Sequence, residues 1–243
     1  NRPPPTRWTF GSNKRNKGAF RALAGGGRIL NTPLHKNDCL RVIIMMTILY
    51  TVGDKLYINL TNRCPCNCTF CIRQNGDGAY GSDSLWLDRE PTVDEVIEEL
   101  EKYDLSEFKE IVFCGYGEPM ERAEGVGYIG RYIKDNFSVP VRLNTNGLGD
   151  KIWGEPTAKV LEGAVDIVSV SLNQCSAEKY NAVTRPKWDD AFEAMISFAA
   201  DCKKYVPKVI FTVVDVIPME DISRCKALAM SLGIELRVRK YDS

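Results

Sequence analysis

Histidine is almost absent: His35 is the only one in 243 residues. It lies upstream of the patterned part of the chain, which excludes a histidine base or metal ligand there. No run of about 18 or more apolar residues occurs, so no membrane-spanning helix and no membrane partner are expected. A second C-x2-C pair is also missing, whereas structural zinc sites usually use two. Net charge is zero, with 32 Lys and Arg against 32 Asp and Glu. The balance hides an asymmetry. Residues 1–45 carry nine basic residues and one acid, Asp38, a net of +8, which leaves −8 on the remainder. A body this acidic has no evident basic face, so nucleic acid is not expected as the main ligand.

Cysteine, by contrast, is plentiful. There are nine, an odd number, and four fall in the eight-residue run Cys64–Cys71. Disulfide frameworks spread their cysteines to close loops, and neighbours this close cannot all pair with one another. A metal site in a reducing compartment, the cytoplasm, fits better. Cys39, Cys114, Cys175, Cys202 and Cys225 are scattered singly and form no second cluster motif. Core packing is their expected role.

The length suits one full domain. Residues 1–44 are rich in Pro, Gly, Asn and Arg without helical or strand period, and read as a disordered or non-native extension. The apolar run Val42–Val52 follows basic residues but has no small-residue cleavage site after it, so a signal peptide is not favoured. Met45 or Met46 is the expected natural start, with a single domain over 46–243. From there strand-like and helix-like segments alternate. Residues 48–60 read as a hairpin around Gly53-Asp54. Strands are expected at 110–114, 139–143, 165–172, 208–216 and 234–239. Thr92 and Glu95 form a capping box before a helical pattern. Further helices are expected near 127–136, 156–162, 189–205 and 221–232. Such alternation implies parallel strands joined by right-handed crossovers. Six core strands are too few for a closed eight-stranded barrel. The expected fold is α/β, a partial, open (β/α)6 barrel of mostly parallel strands. Chemistry in such folds collects at the C-terminal strand ends.

The segment Cys64-Pro65-Cys66-Asn67-Cys68-Thr69-Phe70-Cys71 contains C-x3-C-x2-C, that is Cys64, Cys68 and Cys71. Thiolates are the ligands of iron–sulfur clusters. Three from one short loop can hold three irons of a [4Fe–4S] cubane and leave the fourth open. Zinc held by four cysteines, Cys66 included, is the bland alternative, although four ligands from eight residues make a cramped tetrahedron. This pattern after a first strand, with an aromatic before the last cysteine, resembles the radical S-adenosylmethionine (SAM) superfamily. The resemblance implies a [4Fe–4S] cluster whose open iron chelates SAM. It further implies reductive cleavage of SAM to a 5′-deoxyadenosyl radical, with Phe70 near the adenine.

Later segments extend the resemblance. Cys114-Gly115-Tyr116-Gly117-Glu118-Pro119 is similar to the family's GGE motif with Tyr116 inserted, which makes Gly115, Gly117 and Glu118 SAM-binding candidates. Glycines there let backbone approach a ligand without a Cβ in the way. Asn144-Thr145-Asn146-Gly147 is similar to a strand end of the pyruvate formate-lyase activating enzymes, and gives a site-lining role to Asn144 or Asn146. By resemblance to the family's ribose motif, Ser171 and Asn173 would bind the SAM ribose or carboxylate. Arg185 is a candidate carboxylate partner, since its planar fork matches that group. The family's G-x-I-x-G-x-x-E pattern is missing from Phe211–Ile217, where Val214 is left as the candidate adenine wall. The phrases LYINLTNRCPCNCTFCIRQ and IVFCGYGEP look close to radical SAM proteins associated with TatD-type nucleases. The implied partners are an electron donor such as flavodoxin or ferredoxin and a TatD-type hydrolase. The rival class is a non-catalytic iron–sulfur or zinc-binding redox sensor or scaffold, which needs only the cysteines.

Overall fold

The computed structural model describes residues 46–79 and 81–241. The expected extension over 1–44, with His35, Cys39 and the signal-peptide question, lies outside the described residues. The chain opens with a hairpin, β1 (Leu49–Val52) and β2 (Lys55–Ile58), paired antiparallel with Val52 opposite Lys55. Gly53 turns it at a φ of 59°, a left-handed value that costs glycine little. Then follow β3 (Glu110–Phe113), β4 (Val141–Thr145), β5 (Ile167–Ser171), β6 (Lys208–Val214) and β7 (Glu235–Arg239). Strands β2 to β7 are all parallel, and spatial order equals sequence order. β1 and β7 are the two edges, so the barrel is open, as the strand count predicts.

The helices are α1 (Val93–Leu100), α2 (Ala123–Asn136), α3 (Gly149–Trp153), α4 (Ala177–Thr184), α5 (Ala191–Cys202) and α6 (Met219–Ser231). None among the described residues is long and apolar enough to cross a membrane. The capping box at α1 forms as read: Glu95 N donates to Thr92 Oγ1 (3.2 Å) and Thr92 N to Glu95 Oε2 (2.8 Å). Other elements depart from expectation. α2 begins at Ala123, after a 3-10 turn over Pro119–Arg122. Its glycines, which weaken a helical reading, are there for packing: a Cβ on Gly130 would stand 2.4 Å from Ala164 O. The segment expected as a helix at 156–162 is only a 3-10 turn, Ala158–Leu161. α3 and α4 were not anticipated.

Alternation along the strands sends two different faces in two directions. Leu56, Ile58, Ile111, Phe113, Leu143 and Val168 are completely buried, in one core with Val96, Leu100, Ile133 and Phe198 of the helices. Burying each such side chain contributes about 1.5–3 kcal/mol, so this face must stay apolar. The opposite face is under no such demand. It carries Tyr57, Cys114, Asn144, Ser169, Ser171 and Thr212, which line a cavity.

Candidate functional site

That cavity holds about 500 Å³ and lies where Cys64, Cys66, Cys68 and Cys71 meet the C-terminal ends of β3 to β7. Its size is within the usual range for a small-molecule site. The cysteine loop follows β2 directly, and backbone bonds hold it in place. Asn67 N donates to Thr184 O (3.0 Å), Thr69 N to Val183 O (2.9 Å) and Lys187 N to Pro65 O (3.0 Å). The end of α4 thus forms one side of the loop's seat. On the other side Arg63 pairs with Glu90 (2.6 Å) and Glu121 (3.1 Å).

N–H donors converge on the sulfurs. Arg73 Nε lies 3.4 Å from Cys71 Sγ, and Asn146 Nδ2 lies 3.9 Å from Cys64 Sγ and 3.8 Å from Cys66 Sγ. The thiols also separate by chemistry. Hydrogen bonds from Cys66 lower Cys64 and Cys68 below the ordinary cysteine range, while bonding to both neighbours drives Cys66 far up. All eight cysteines among the described residues are free. No three Cys, His, Asp or Glu side chains among the described residues converge on a point where one metal ion would sit. Three thiolates that each bind a different iron of a cubane need no such convergence.

At the strand ends, Glu118 is buried and links β3 to β4. Its Oε1 accepts from Met120 N (3.0 Å) and Thr145 Oγ1 (2.7 Å), and its Oε2 from Asn146 N (2.7 Å). Burial nevertheless outweighs these donors and pushes its carboxyl up to about 7. Asn173, just past β5, is buried with a left-handed φ of 57°, and its Oδ1 has no hydrogen-bond partner. An orphaned buried acceptor of this kind costs about 1–3 kcal/mol. The residue lines the cavity, although this oxygen has no accessible surface of its own.

Comparison with known proteins decides the family. The model of the Radical SAM superfamily matches residues 58–229, most of the chain. The chain belongs to the radical SAM superfamily. Among curated relatives it is 29% identical over 194 residues to a GTP 3′,8-cyclase of Corynebacterium glutamicum, covering 76% of this chain and 48% of that one. It is 25% identical over 141 residues to Molybdenum cofactor biosynthesis protein 1 of Dictyostelium discoideum, covering 58% and 21%. The chain thus spans at most about half the length of these relatives. Among solved structures, Streptococcus suis SuiB bound to SAM shares the fold with a TM-score of 0.60 at 15% identity, covering 78% of this chain and 41% of that one. Native anSMEcpe with bound SAM gives 0.53 at 22% identity, covering 77% and 51%.

The cofactors of this radical SAM chain are a [4Fe–4S] cluster and SAM. The residues present fit both. N–H donors meet the sulfurs, and the cysteine loop lines one cavity with the polar side chains of Asn144, Asn146, Ser171 and Asn173. Phe70, Gly117, Glu118, Asn144, Asn146, Ser171 and Asn173 all line the cavity, as does Val214. Two expected residues do not. Gly115 is packed away from it, where a Cβ would stand 2.1 Å from Asn59 Oδ1. Arg185 is exposed at the left-handed C-cap of α4, and its backbone carbonyl accepts from Asn67 N (3.2 Å). The reason for glycine also differs from that expected. The missing Cβ of Gly117 leaves room for the Thr61 and Arg63 carbonyls, not for a ligand. Sequence reading missed Tyr50, Tyr57, Thr212, Arg237 and Arg239, which line the same cavity. Period-two polarity in Glu235, Arg237 and Arg239 was the available signal.

Proposed function

We propose that the chain is an enzyme that cleaves SAM reductively and uses the resulting 5′-deoxyadenosyl radical to abstract hydrogen from a substrate in the same cavity. The cluster supplies the electron for that cleavage when it is bound and reduced. The reading rests on one observation: the cysteine loop and the polar strand ends that carry Glu118, Asn146, Ser171 and Asn173 line one cavity.

Each residue then has a defined task. Cys64, Cys68 and Cys71 are the ligands, and Cys66 stays a thiol beside them. Arg73 and Asn146 point N–H groups at the sulfurs, which favours negative charge there. Asn173 Oδ1 accepts from a SAM hydroxyl or amino group, with Ser171 beside it. Glu118 holds Asn146 in place through its backbone N–H. Phe70 and Val214 give the adenine apolar walls.

Electrons come from a flavodoxin or ferredoxin in a reducing compartment, the cytoplasm. A TatD-type hydrolase is the partner to seek by co-purification, because the cysteine segment is similar to TatD-associated proteins. GTP is the first substrate to assay, since curated relatives carry the name GTP 3′,8-cyclase. The decisive test is anaerobic reconstitution followed by EPR of the reduced protein with and without SAM, and chromatography for 5′-deoxyadenosine. A [4Fe–4S]⁺ signal that changes with SAM, accompanied by 5′-deoxyadenosine, is expected. A cluster indifferent to SAM would favour the sensor class instead.

A further inference from the structure

Two arginines line the cavity beside the residues assigned to SAM. Arg237 and Arg239 sit two residues apart on β7, opposite Thr212 and Val214 of β6, and all four line the cavity. Residues two apart on a strand share a face and stand roughly 7 Å from each other. Leu236, just before them, packs toward the core, whereas Val238, between them, is exposed and also lines the cavity. Lys240 continues the same wall.

Of the five described arginines that meet no carboxylate, Arg73, Arg131, Arg185, Arg237 and Arg239, only the last two line the cavity. Arg63, Arg89, Arg122, Arg142 and Arg224 each meet a carboxylate. Neither Arg237 nor Arg239 forms an ion pair or side-chain hydrogen bond among the described residues. This is in a chain whose residues beyond 45 carry 31 acids against 23 bases. Acidic partners are plentiful, yet none is placed here. Burial raises the thiol of Cys114, at the end of β3, and the Arg239 charge opposes that rise across the cavity. On the other edge Tyr50 and Tyr57 stack at 5.1 Å between ring centroids and line the opposing wall.

We propose that Arg237 and Arg239 form an anion subsite that holds a phosphate or carboxylate group of the substrate, separate from the SAM contacts. A planar guanidinium fork matches either oxyanion in two parallel hydrogen bonds. A substrate with an oxyanion at one end and a flat ring at the other would meet β7 and the tyrosine pair together. The assignment rests on this cavity being the reaction chamber.

The test is isothermal titration of tripolyphosphate, and separately citrate, into reconstituted protein saturated with SAM. Wild type is compared with Arg237→Gln/Arg239→Gln, Arg237→Lys/Arg239→Lys and the control Arg131→Gln, an exposed residue of α2 outside the cavity. One anion class is expected to bind wild type and the control alike. The Gln pair should weaken it about tenfold or more, the scale of lost charge-assisted hydrogen bonds, and the Lys pair less. Whether tripolyphosphate or citrate responds identifies the group. The SAM-dependent EPR change should be the same in every variant. Equal anion affinity in the Gln pair and wild type overturns the proposal, as does no anion binding by wild type. Loss of SAM affinity in step with anion affinity also overturns it, because the arginines would then hold the SAM carboxylate. If anion binding follows the arginines while wild type shows no SAM response, the subsite stands and the radical reading falls.

Discussion

Gly117→Ala tests how the fold sets the cysteine loop. Its backbone φ is not in the left-handed region, so any effect is steric. An added Cβ would stand 2.2 Å from Thr61 O and 2.6 Å from Arg63 O, against 3.4 Å for ordinary contact, so something must yield by about 1.2 Å. Both neighbours are backbone, and the segment is tied down. Thr61 Oγ1 donates to Glu90 (2.6 Å) and accepts from Arg63 N (3.0 Å), while Glu118 N donates to Arg63 O (2.8 Å). Overpacking costs about 1–3 kcal/mol, and breaking the Glu118–Arg63 bond adds about 1. A loss of roughly 2–4 kcal/mol is therefore expected, together with displacement of Cys64, the next residue. Gly125→Ala in α2 is the comparator. Its Cβ meets nothing nearer than 3.9 Å, and Ala is favoured over Gly in a helix by about 0.5–1 kcal/mol, so it should stabilise. Urea denaturation of cluster-free protein reads the first effect, and iron and sulfide per chain after reconstitution read the second. A Gly117→Ala protein with wild-type stability and full iron loading would refute the argument that this glycine seats the loop.

Three other outcomes follow from the same geometry. Glu118 titrates near pH 7 in the fold against an ordinary 4.5, so the fold favours its protonated form. Stability of the cluster-free protein should therefore fall by about 3 kcal/mol as pH rises from about 4.5 to about 7, and Glu118→Gln should remove that share of the slope in urea melts at pH 5 and 7.5. Cys66→Ser should keep about four irons per chain after reconstitution, while Ser at 64, 68 or 71 should each lose the cluster; iron loss in Cys66→Ser would make it a ligand. Asn173→Gly preserves the left-handed backbone but removes Oδ1, so SAM should bind about tenfold more weakly in EPR titration with the cluster intact. Unchanged SAM affinity would show that the orphaned oxygen has no part in SAM binding.

Much of this was legible because the signals were local. The capping box of Thr92 and Glu95 and the Gly53 turn are short-range, and both form as written. The cysteine spacing is a property of one loop, so three cysteines and Phe70 reach the cavity together. The misses came from contacts distant in sequence. Helix α2 was expected near 127–136 but begins at Ala123, and the reason for its glycines, the carbonyl of Ala164 34 residues after Gly130, does not show in a local pattern. Helix α4 has Ser176 as its cap but only a faint apolar stripe, and its seat is the cysteine loop more than 100 residues earlier. Arg185 was read as a side chain, whereas the fold uses its carbonyl.

The arginines of β7 were missed for a different reason. A strand in an α/β sheet is usually read for the face it gives to the helices, and Leu236 satisfied that reading. The other face of an open barrel is not core, so hydrophobic burial places no demand on it. Residues on that side are chosen by whatever enters the cavity. Tyr57, Cys114, Asn144, Ser169, Thr212 and Arg237 advance from strand to strand around that inner face, from aromatic through small polar to cationic. In a fold of this kind the polar residues at alternate strand positions are therefore the primary record of the ligand. The cysteine loop, which announces the family, says least about what this member acts on.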